Sequence, residues 1–305
     1  MKPKKIALVT SAAFPGEDWK DRDTPPLEAC LSGKGHTVEV VAWDTGDSAR
    51  WDSFDLVVLQ SPWSMWRKLA VFGEWLGSLH RRGIPLANPH EVVVGGMSKA
   101  YLPRVAREGA VTIPTAIVRP GGPAAATGSL DQAEREFGSR AVVVKPISSG
   151  GALDAVRLTT EAELSAKLRE FSAAGTTVCV QPYITSIDSL GEVGAVMIGG
   201  RLSHVITKDA ILQPGKDRSG FHPNARICLD RQETDAEDID AAHRAYLATV
   251  ETDPASVRLD FLRHPRTGRL LLLEIESVAP VKFLDLHPAA VEDYATTLTG
   301  LLDRG

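Results

Sequence analysis

The sequence has few cysteines, and they do not form a metal motif or a disulfide framework. There are three in 305 residues, Cys30, Cys179 and Cys228, and no two of them form a CxxC pair. An odd, widely spaced set of this kind favours a reducing compartment. Because each cysteine lies among apolar neighbours, we expect three buried thiols.

Long apolar runs and a basic charge balance are also missing. No stretch approaches the roughly 20 apolar residues that span a bilayer. The apolar part of the N-terminal segment covers only 6–10, and acidic residues follow it, which does not suit a signal peptide. The net charge is −5 and the charges are mixed along the chain, so nothing indicates a nucleic-acid partner. We expect a soluble cytoplasmic protein and leave open whether it forms a homo-oligomer.

Several common catalytic motifs are absent from the sequence. It contains no GxxxxGK[ST] phosphate loop, no GxGxxG dinucleotide fingerprint, no HExxH zinc motif and no GxSxG around a nucleophilic serine. The eight histidines have no regular ligand spacing. The sequence therefore gives no support to P-loop, Rossmann, zinc-protease or serine-hydrolase chemistry.

Strand and helix patterns alternate in the first third of the chain. Runs rich in β-branched residues at 5–10 and 37–43 flank a helical stretch, and a third strand is predicted at 54–60. A tryptophan-rich helix over 66–82 leads to a short strand at 84–88. This alternation predicts a doubly wound α/β lobe with a parallel sheet.

The rest of the chain predicts two α+β lobes. We place the boundaries of the three lobes at 1–96, 97–179 and 180–305. A Pro/Gly/Ala-rich stretch at 119–129 is predicted to be an exposed loop. The other predicted elements are helices at 98–109, 160–171 and 235–250, strands at 141–146 and 178–184, a hairpin at 192–208 turned at Gly199–Gly200, a polar loop at 209–226, and paired strands at 257–264 and 269–278.

The strongest chemical signal is the final pair of strands, joined by a turn at Thr267–Gly268. Arg258 and Asp260 are two residues apart, as are Glu274 and Glu276, so each pair shares one face of its strand. If the two faces coincide, three carboxylates crowd together, which is costly without a cation. Oxygen ligands suit Mg²⁺, although a solvated edge hairpin would show the same alternation. The opposite, apolar face is predicted to carry Leu259, Phe261, Leu273 and Ile275.

Two further segments suit a nucleotide. Lys145 precedes a loop of small residues, 146–152, whose backbone amides can cradle phosphate oxygens. An ordinary hairpin loop would have the same composition. The extended segment 180–184 can present backbone groups to an adenine ring, and Glu192 can accept hydrogen bonds from ribose hydroxyls.

The order of these segments resembles the ATP-grasp superfamily from about residue 97 to the C-terminus. The preceding α/β lobe resembles the N-terminal domain that is usual in that superfamily. The sequence is similar in particular to the D-cycloserine-forming cyclo-ligase (O-ureido-D-serine cyclo-ligase) group, with D-alanine–D-alanine ligase as a more distant analogue. The segments that carry the resemblance are ALVT (7–10), PPLEAC (25–30), Trp43-Asp44, SPW (61–63), KAYL (99–102), VQPY (180–183), Gly191-Glu192 and SHVITK (203–208).

The resemblance implies ATP and Mg²⁺ as cofactors and an α/β, ATP-grasp fold whose two α+β lobes sandwich ATP. It implies a catalytic Arg258 that steadies the acyl phosphate and the tetrahedral intermediate, and a Lys208 that contacts the terminal phosphates. The implied metal ligands are Asp260, Glu274 and Glu276. The implied nucleotide contacts are Lys99, Lys145, Ser148, Ser149, Gly150, Gly151, Gln181, Pro182, Tyr183, Ile184 and Glu192.

The first lobe is expected to supply part of the substrate site, because ligands of open α/β sheets bind at strand ends. Trp63 and Trp66 suit the core equally well, and Lys282 is either a substrate contact or an exposed side chain. Glu276 stands where many superfamily members have Asn, which leaves the number of metal ions open. The candidate substrate residues are Asp23, Ser61, Trp63, Asn88 and Lys282.

The sequence thus predicts an ATP-dependent, ADP-forming carbon–nitrogen ligase. A small, amino-acid-like carboxylate would be activated as an acyl phosphate and attacked by an amine-type nucleophile, in small-molecule or antibiotic biosynthesis. Intramolecular cyclisation is the sharper alternative to ligation of two molecules. A carboxylate kinase or formate-dependent ligase, and a nucleotide-binding regulatory protein without turnover, are further alternatives. The intact set of Arg258, Asp260, Glu274 and Glu276 argues against the last.

Overall fold

The computed structural model of the chain describes residues 2–16, 20–46, 49–212, 225–228 and 234–303. In these ranges the strands form a three-stranded, a four-stranded and a five-stranded sheet. Most of the polar loop predicted at 209–226 lies outside the described residues. Among the described helices, none has the length and apolar composition to cross a membrane.

The elements alternate along the chain much as the sequence patterns predict. The strands are β1 (Lys5–Thr10), β2 (Thr37–Ala42), β3 (Leu56–Ser61), β4 (Ala116–Val118), β5 (Val142–Pro146), β6 (Val156–Leu158), β7 (Val178–Pro182), β8 (Glu192–Ile198), β9 (Arg201–Lys208), β10 (Arg226–Ile227), β11 (Ser256–Arg263) and β12 (Leu270–Glu276). The α-helices are α1 (Thr24–Gly33), α2 (Leu69–Arg81), α3 (His90–Gly96), α4 (Leu102–Arg107), α5 (Ser129–Phe137), α6 (Glu161–Ala173), α7 (Ile187–Leu190), α8 (Asp235–Leu247) and α9 (Pro288–Leu302). Short 3-10 helices lie at Ala49–Ser53, Trp63–Arg67, Lys99–Tyr101, Pro123–Ala126 and Leu284–Leu286.

The first sheet is parallel, in the order β2-β1-β3, with apolar clusters on both faces. The strand predicted at 84–88 is wrong. Only Leu86 pairs, in a single parallel bridge with Val57. Pro85 has no N–H to donate to a ladder, and Asn88 has a left-handed φ of 98° that turns the chain away.

The four-stranded sheet has the order β4-β7-β5-β6, and the β5–β6 hairpin carries the loop of small residues. The prediction of an exposed loop at 119–129 is wrong in part. Ala126 is buried in a 3-10 helix, and α5 begins at Ser129. The signal for α5 is present in the sequence, since Leu130, Ala133 and Phe137 recur at helical spacing and are buried.

The five-stranded sheet has the order β10-β9-β8-β11-β12 and contains both predicted hairpins. The β8–β9 turn has positive φ at Gly199 and Gly200, which glycine adopts without a Cβ clash. At the β12 edge of this sheet, β11 and β12 run antiparallel. Arg258 lies opposite Glu276, and Asp260 lies opposite Glu274.

The β11–β12 ladder has a bulge after Asp260. Because of it, the prediction that Leu273 lies on the opposite, apolar face is wrong. Phe261 pairs with Leu272 rather than Leu273, so Leu273 is the extra residue on β12. Leu273 consequently packs with Ile184 and lines the same pocket as Glu274, while the other three predicted apolar residues remain in the opposite core.

The prediction of three buried thiols, made from their apolar neighbours, is wrong in part. Cys179 is buried, whereas Cys30 and Cys228 are half-buried. The Cys30 Sγ lies 3.2 Å from Glu292 Oε2. The described structure places no two of these thiols together as a site.

Candidate functional site

The predicted carboxylate faces coincide. Asp260 lies on β11, and Glu274 and Glu276 lie on β12. Each of the three offers a carboxylate oxygen that lies within 4.8 Å of the oxygens offered by the other two. The antiparallel register therefore brings the sequence-predicted metal ligands into one cluster.

Two buried cations flank Asp260. Its two oxygens accept hydrogen bonds from Arg258 Nε at 2.8 Å and Nη2 at 2.9 Å, a bidentate pair. Lys208 Nζ lies 3.0 Å from the Asp260 carboxylate and also pairs with Glu192. Asp260 is fully buried, and Arg258 and Lys208 are each 1% exposed, so this network is shielded from water.

The two glutamates of β12 have cations of their own. Glu274 Oε2 lies 3.4 Å from Lys99 Nζ and 3.5 Å from Lys145 Nζ. Glu276 lies 3.2 Å from Arg258 Nη2. Together with Glu192 and Lys208, four carboxylates and four cations form one network, so the acidic cluster is not simply repulsive.

Burial and ion pairing separate the carboxyl groups into two classes. For Asp260 and Glu274, burial alone would raise the pKa, but the cations in contact with them outweigh it and hold both pKa values well below the usual range. For Glu276, burial together with the charges of Asp260 and Glu274 raises the pKa. Burial also raises the pKa of Glu192 to about 7, despite the opposing charge of Lys208.

A pocket of about 110 Å³ opens on one side of this network. Its apolar walls come from Leu262 and Leu273, and its polar end from Lys99, Lys145 and Glu192. The predicted adenine segment lies along this pocket, as do three of the four predicted loop residues; Ser148 is not in contact with it. The pocket-lining residues that the sequence predicted are Lys99, Lys145, Ser149, Gly150, Gly151, Gln181, Pro182, Tyr183, Ile184, Glu192, Glu274 and Glu276.

Side chains of the predicted adenine segment are already engaged. Gln181 Nε2 donates to Thr115 Oγ1 at 2.9 Å, and the Tyr183 hydroxyl donates to Asp188. The Arg157 guanidinium lies 3.7 Å from the centroid of the Tyr183 ring. This segment thus faces the pocket with its positions fixed by neighbouring strands.

A second, smaller pocket of about 30 Å³ lies on the other side of the network. Trp63, Trp66, Met97 and Tyr101 line it together with Arg258. The two pockets share one wall, made of Lys99, Ser149, Gly150, Gly151, Glu274 and Glu276.

Sequence reasoning did not assign roles to Tyr101 and Met97. The Tyr101 hydroxyl accepts a hydrogen bond from Ile275 N at 2.6 Å and donates one to Ile275 O at 2.9 Å. These bonds hold β12 between Glu274 and Glu276. The signal was available, because Tyr101 belongs to the KAYL segment that carries the family resemblance.

Lys208, which the resemblance implies as a contact of the terminal phosphates, lies within the ion-pair network. It is on β9, contacts Glu192 and Asp260, and lines neither pocket. In this conformation it bridges two carboxylates rather than facing either pocket.

Four of the five candidate substrate residues lie outside both pockets; Trp63 lines the smaller one. Asn88 donates to the carbonyls of Ser256 at 2.8 Å and Ser277 at 2.7 Å. Ser61 donates to Thr10 Oγ1 at 2.9 Å. Asn88 thus connects the first lobe to β11 and to the residue that follows β12, whereas the Ser61 bond lies within the first sheet.

The side chains of Asp23 and Lys282 also contact backbone groups in this arrangement. The Asp23 carboxylate accepts hydrogen bonds from the backbone amides of Lys282 and Leu284. Lys282 is fully buried, so the alternative of an exposed side chain is wrong, and its Nζ donates to Pro280 O at 3.0 Å. Burial lowers the pKa of Lys282, opposed by the charge of Asp23.

His204 fixes the same segment from the other side. Its Nε2 donates to Lys282 O at 2.8 Å, and Ser203 Oγ lies 3.0 Å from Nδ1. The ring stacks on His287 with centroids 4.8 Å apart. Burial, with a further contribution from His287, lowers the pKa of His204 from 6.5 to about 4.

We expect His204 to make the fold sensitive to acid. The unfolded chain takes up a proton at this site below about pH 6.5, whereas the folded chain does so only near pH 4, so stability falls as the pH falls across that window. Between pH 7.5 and pH 5 the wild type should lose about 2 kcal/mol more than His204→Gln. Urea unfolding at both pH values measures the difference. Equal losses in the two proteins would show that His204 titrates normally.

A relative of known name places the chain in a family. Over 283 residues it is 32% identical to the cycloserine biosynthesis protein DcsG of Streptomyces lavendulae, and the match covers 90% of this chain and 91% of the relative. The chain belongs to the DcsG family. The family model for the N-terminal domain of D-cycloserine synthetase DcsG matches residues 6–88.

Solved structures agree with this family. The crystal structure of D-cycloserine synthetase DcsG matches with a TM-score of 0.83 and 28% identity, covering 98% of this chain and 99% of that one. A D-alanine–D-alanine ligase from Bacillus anthracis, complexed with ATP, matches with a TM-score of 0.67 and 15% identity over 99% and 98% of the chains, which shows the fold alone. The predicted ATP-grasp fold is confirmed, and the DcsG-family chain is an ATP-dependent ligase.

Proposed function

We propose that this DcsG-family chain binds ATP in the larger pocket and an amino-acid-sized carboxylic acid in the smaller one. The acid's oxygen attacks the γ-phosphorus of ATP, which gives an acyl phosphate and ADP. An amine-type nitrogen then attacks the acyl carbon and releases phosphate, forming a carbon–nitrogen bond. The observation that carries this proposal is the wall shared by the two pockets, which puts Lys99, Glu274 and Glu276 between them.

The larger pocket suits a nucleotide along its length. Leu262 and Leu273 provide apolar surface for a base, and Glu192 is a hydrogen-bond acceptor for ribose hydroxyls. Lys99 lies at the shared wall and Lys145 lines the larger pocket 3.5 Å from Glu274 of that wall, so both would neutralise phosphate charge there. Lys99 Nζ donates to Ser149 O at 2.6 Å, so the loop of small residues would meet the phosphates beside it.

The oxygen cluster fits Mg²⁺. Asp260, Glu274 and Glu276 would hold the ion, since their oxygens converge within 4.8 Å and Mg²⁺ prefers oxygen ligands. Glu276 contacts Arg258, and burial, together with the charges of Asp260 and Glu274, raises its pKa. When bound, Mg²⁺ would offset charge on the transferring phosphoryl group.

Arg258 would act on the acyl group. It lines the smaller pocket, and Asp260, Glu276 and Val281 O hold its guanidinium in place. A cation fixed in advance stabilises an oxyanion without reorganisation at the moment of reaction. Positioning of acid, phosphoryl group and Arg258 would then supply much of the rate, and no nucleophilic Ser or Cys is required.

Cyclisation is the second candidate function. Its support is the 32% identity to DcsG, a protein named for cycloserine biosynthesis. Ligation of two molecules would instead use space that opens when the loop of small residues moves.

A substrate screen tests the proposal. Amino acids and amino-acid derivatives, including O-ureido-D-serine, are supplied with ATP and Mg²⁺, with and without an added amine, while ADP, phosphate and condensed product are measured. We expect ADP and phosphate release that depends on the acid. A condensed product made from one substrate molecule would establish cyclisation, and a product that joins two molecules would establish ligation. Hydrolysis of ATP with no acid dependence would contradict the proposal and favour a regulatory protein.

A further inference from the structure

The loop of small residues is docked on the 3-10 helix Trp63–Arg67. Gly150 of the loop lies against Trp66 of the helix. A Cβ built at Gly150 would lie 2.4 Å from Trp66 Nε1 and 2.6 Å from Cε2, far inside contact distance. The loop backbone therefore lies directly against the indole ring, and only glycine permits this approach.

The two residues that follow the loop, Leu153 and Asp154, are also joined to the same helix. Arg67 Nη1 lies 3.0 Å from Asp154 Oδ2. Trp63 and Leu153 belong to one buried apolar cluster, which Trp66 also contacts. The segment 150–154 is thus held at three points by residues that follow β3.

The docked conformation is strained. Ala152 and Asp154 have φ values of 56° and 59°, in the left-handed region that costs a residue with a Cβ about 1–2 kcal/mol. Such residues persist when surrounding contacts fix them. Here these contacts include the three to the helix and two backbone hydrogen bonds, from Leu153 N to Gly150 O at 3.2 Å and from Ala155 N to Ala152 O at 3.1 Å.

The same indole is part of the substrate site. Trp66 lines the smaller pocket together with Met97 and Ala279, next to Gly150. One face of the site therefore depends on a single side chain that touches the loop and also limits the space for the acid.

We propose that Trp66 is a specificity-determining residue that limits the size of the acid and seats the loop of small residues in its closed position. This inference rests on the proposed function. An acid that displaces the indole also unseats the loop, so loop closure depends on a fitting acid. With the loop unseated, water replaces the amine at the acyl phosphate, and the products are ADP, phosphate and the unchanged acid.

The test compares Trp66→Ala and Trp66→Phe with Trp75→Phe. Trp75 is a half-buried tryptophan of the same apolar region and lines neither pocket. Acids of increasing side-chain size are supplied, and ADP and condensed product are both measured. For Trp66→Ala we expect larger acids to be accepted and the ratio of ADP to product to rise about tenfold or more. Trp75→Phe should keep the wild-type size limit and ratio. A wild-type size limit and ratio in a folded Trp66→Ala enzyme would overturn the proposal.

Amide hydrogen exchange measures docking of the loop independently of enzyme turnover. With a non-hydrolysable ATP analogue bound, amides of 148–154 should be protected in the wild type and in Trp75→Phe, and lose protection in Trp66→Ala. Arg67→Ala, which removes the Asp154 contact, should lose part of this amide protection. Arg50→Ala should keep the protection of the wild type. Equal protection in all variants overturns the docking role even if the screen for acids fails. Absence of acid-dependent ADP release in the wild type, by contrast, counts against the proposed function itself.

Discussion

Glu276→Gln should retain its fold and lose about 10²–10³-fold in turnover. Glu276 has a side-chain exposure of 26% and contacts one cation, Arg258. A neutral amide relieves its repulsion with Asp260 and Glu274, so the melting temperature should stay the same or rise. The loss of a metal ligand removes a share of the several kcal/mol that a metal supplies, and each ~1.4 kcal/mol is tenfold in rate.

The measurement is acid-dependent ADP release over a Mg²⁺ titration, with thermal melts of each protein. Glu170→Gln is the matched control, because Glu170 is an exposed residue of α6 that pairs with Lys167. The variant at 276 should need more Mg²⁺ and reach a lower maximal rate. Wild-type turnover at ordinary Mg²⁺ concentrations would remove Glu276 from the metal site.

Unlike Glu276→Gln, Asp260→Asn should be both inactive and less stable than the wild type. Asp260 is fully buried between Arg258 and Lys208. The amide would remove the carboxylate that both buried cations share, leaving Lys208 with Glu192 and Arg258 with Glu276. Breaking a buried pair in this way costs about 3–5 kcal/mol. The expected effect is thus a large loss of folding free energy in addition to the loss of a metal ligand.

Urea unfolding of Asp260→Asn and Asp240→Asn measures this cost. Asp240 forms an exposed pair with Arg244 on α8, and surface pairs contribute at most about 1 kcal/mol. The control should therefore unfold close to the wild type. Unchanged stability of Asp260→Asn would mean that Arg258 and Lys208 do not depend on its charge in the native state.

The contrast between these two variants could not be predicted from spacing. Residue alternation on β11 and β12 correctly predicted that Asp260, Glu274 and Glu276 share a face. It could not show that the cations lie within 3.5 Å of them, because Lys99 and Lys145 reach the cluster from other sheets and helices. The sequence assigned these lysines to phosphate, and their ion pairs depend on tertiary structure.

The bulge after Asp260 is a second limit of periodicity. A strict period of two puts Leu273 on the core face, but one extra residue on β12 turns its side chain into the larger pocket. Nothing in the local sequence marks the bulge, since no glycine occurs at that point. The family resemblance predicted the polar contacts of this pocket better than its apolar walls.

The position of residues at strand ends was a poor guide to which side chains of the first lobe line a pocket. Asp23 and Asn88 lie where ligands commonly bind, yet their side chains bond to backbone groups of 256–284. These partners lie more than 150 residues away in the chain, so local pattern contains no signal for them. Trp63 does line a pocket, and Trp66 beside it suited the core and the pocket equally well by sequence alone.

Transfer of carboxylate oxygen tests the central claim most directly. An acid that gives acid-dependent ADP release is labelled with ¹⁸O in its carboxylate, and the products are analysed by mass spectrometry. If the carboxylate attacks the γ-phosphorus, one ¹⁸O atom appears in inorganic phosphate, together with ADP and the condensed product. Label in AMP, accompanied by pyrophosphate, would mean that the acid is adenylated and would contradict the assignment of the shared wall. Phosphate without label would contradict activation of the carboxylate altogether.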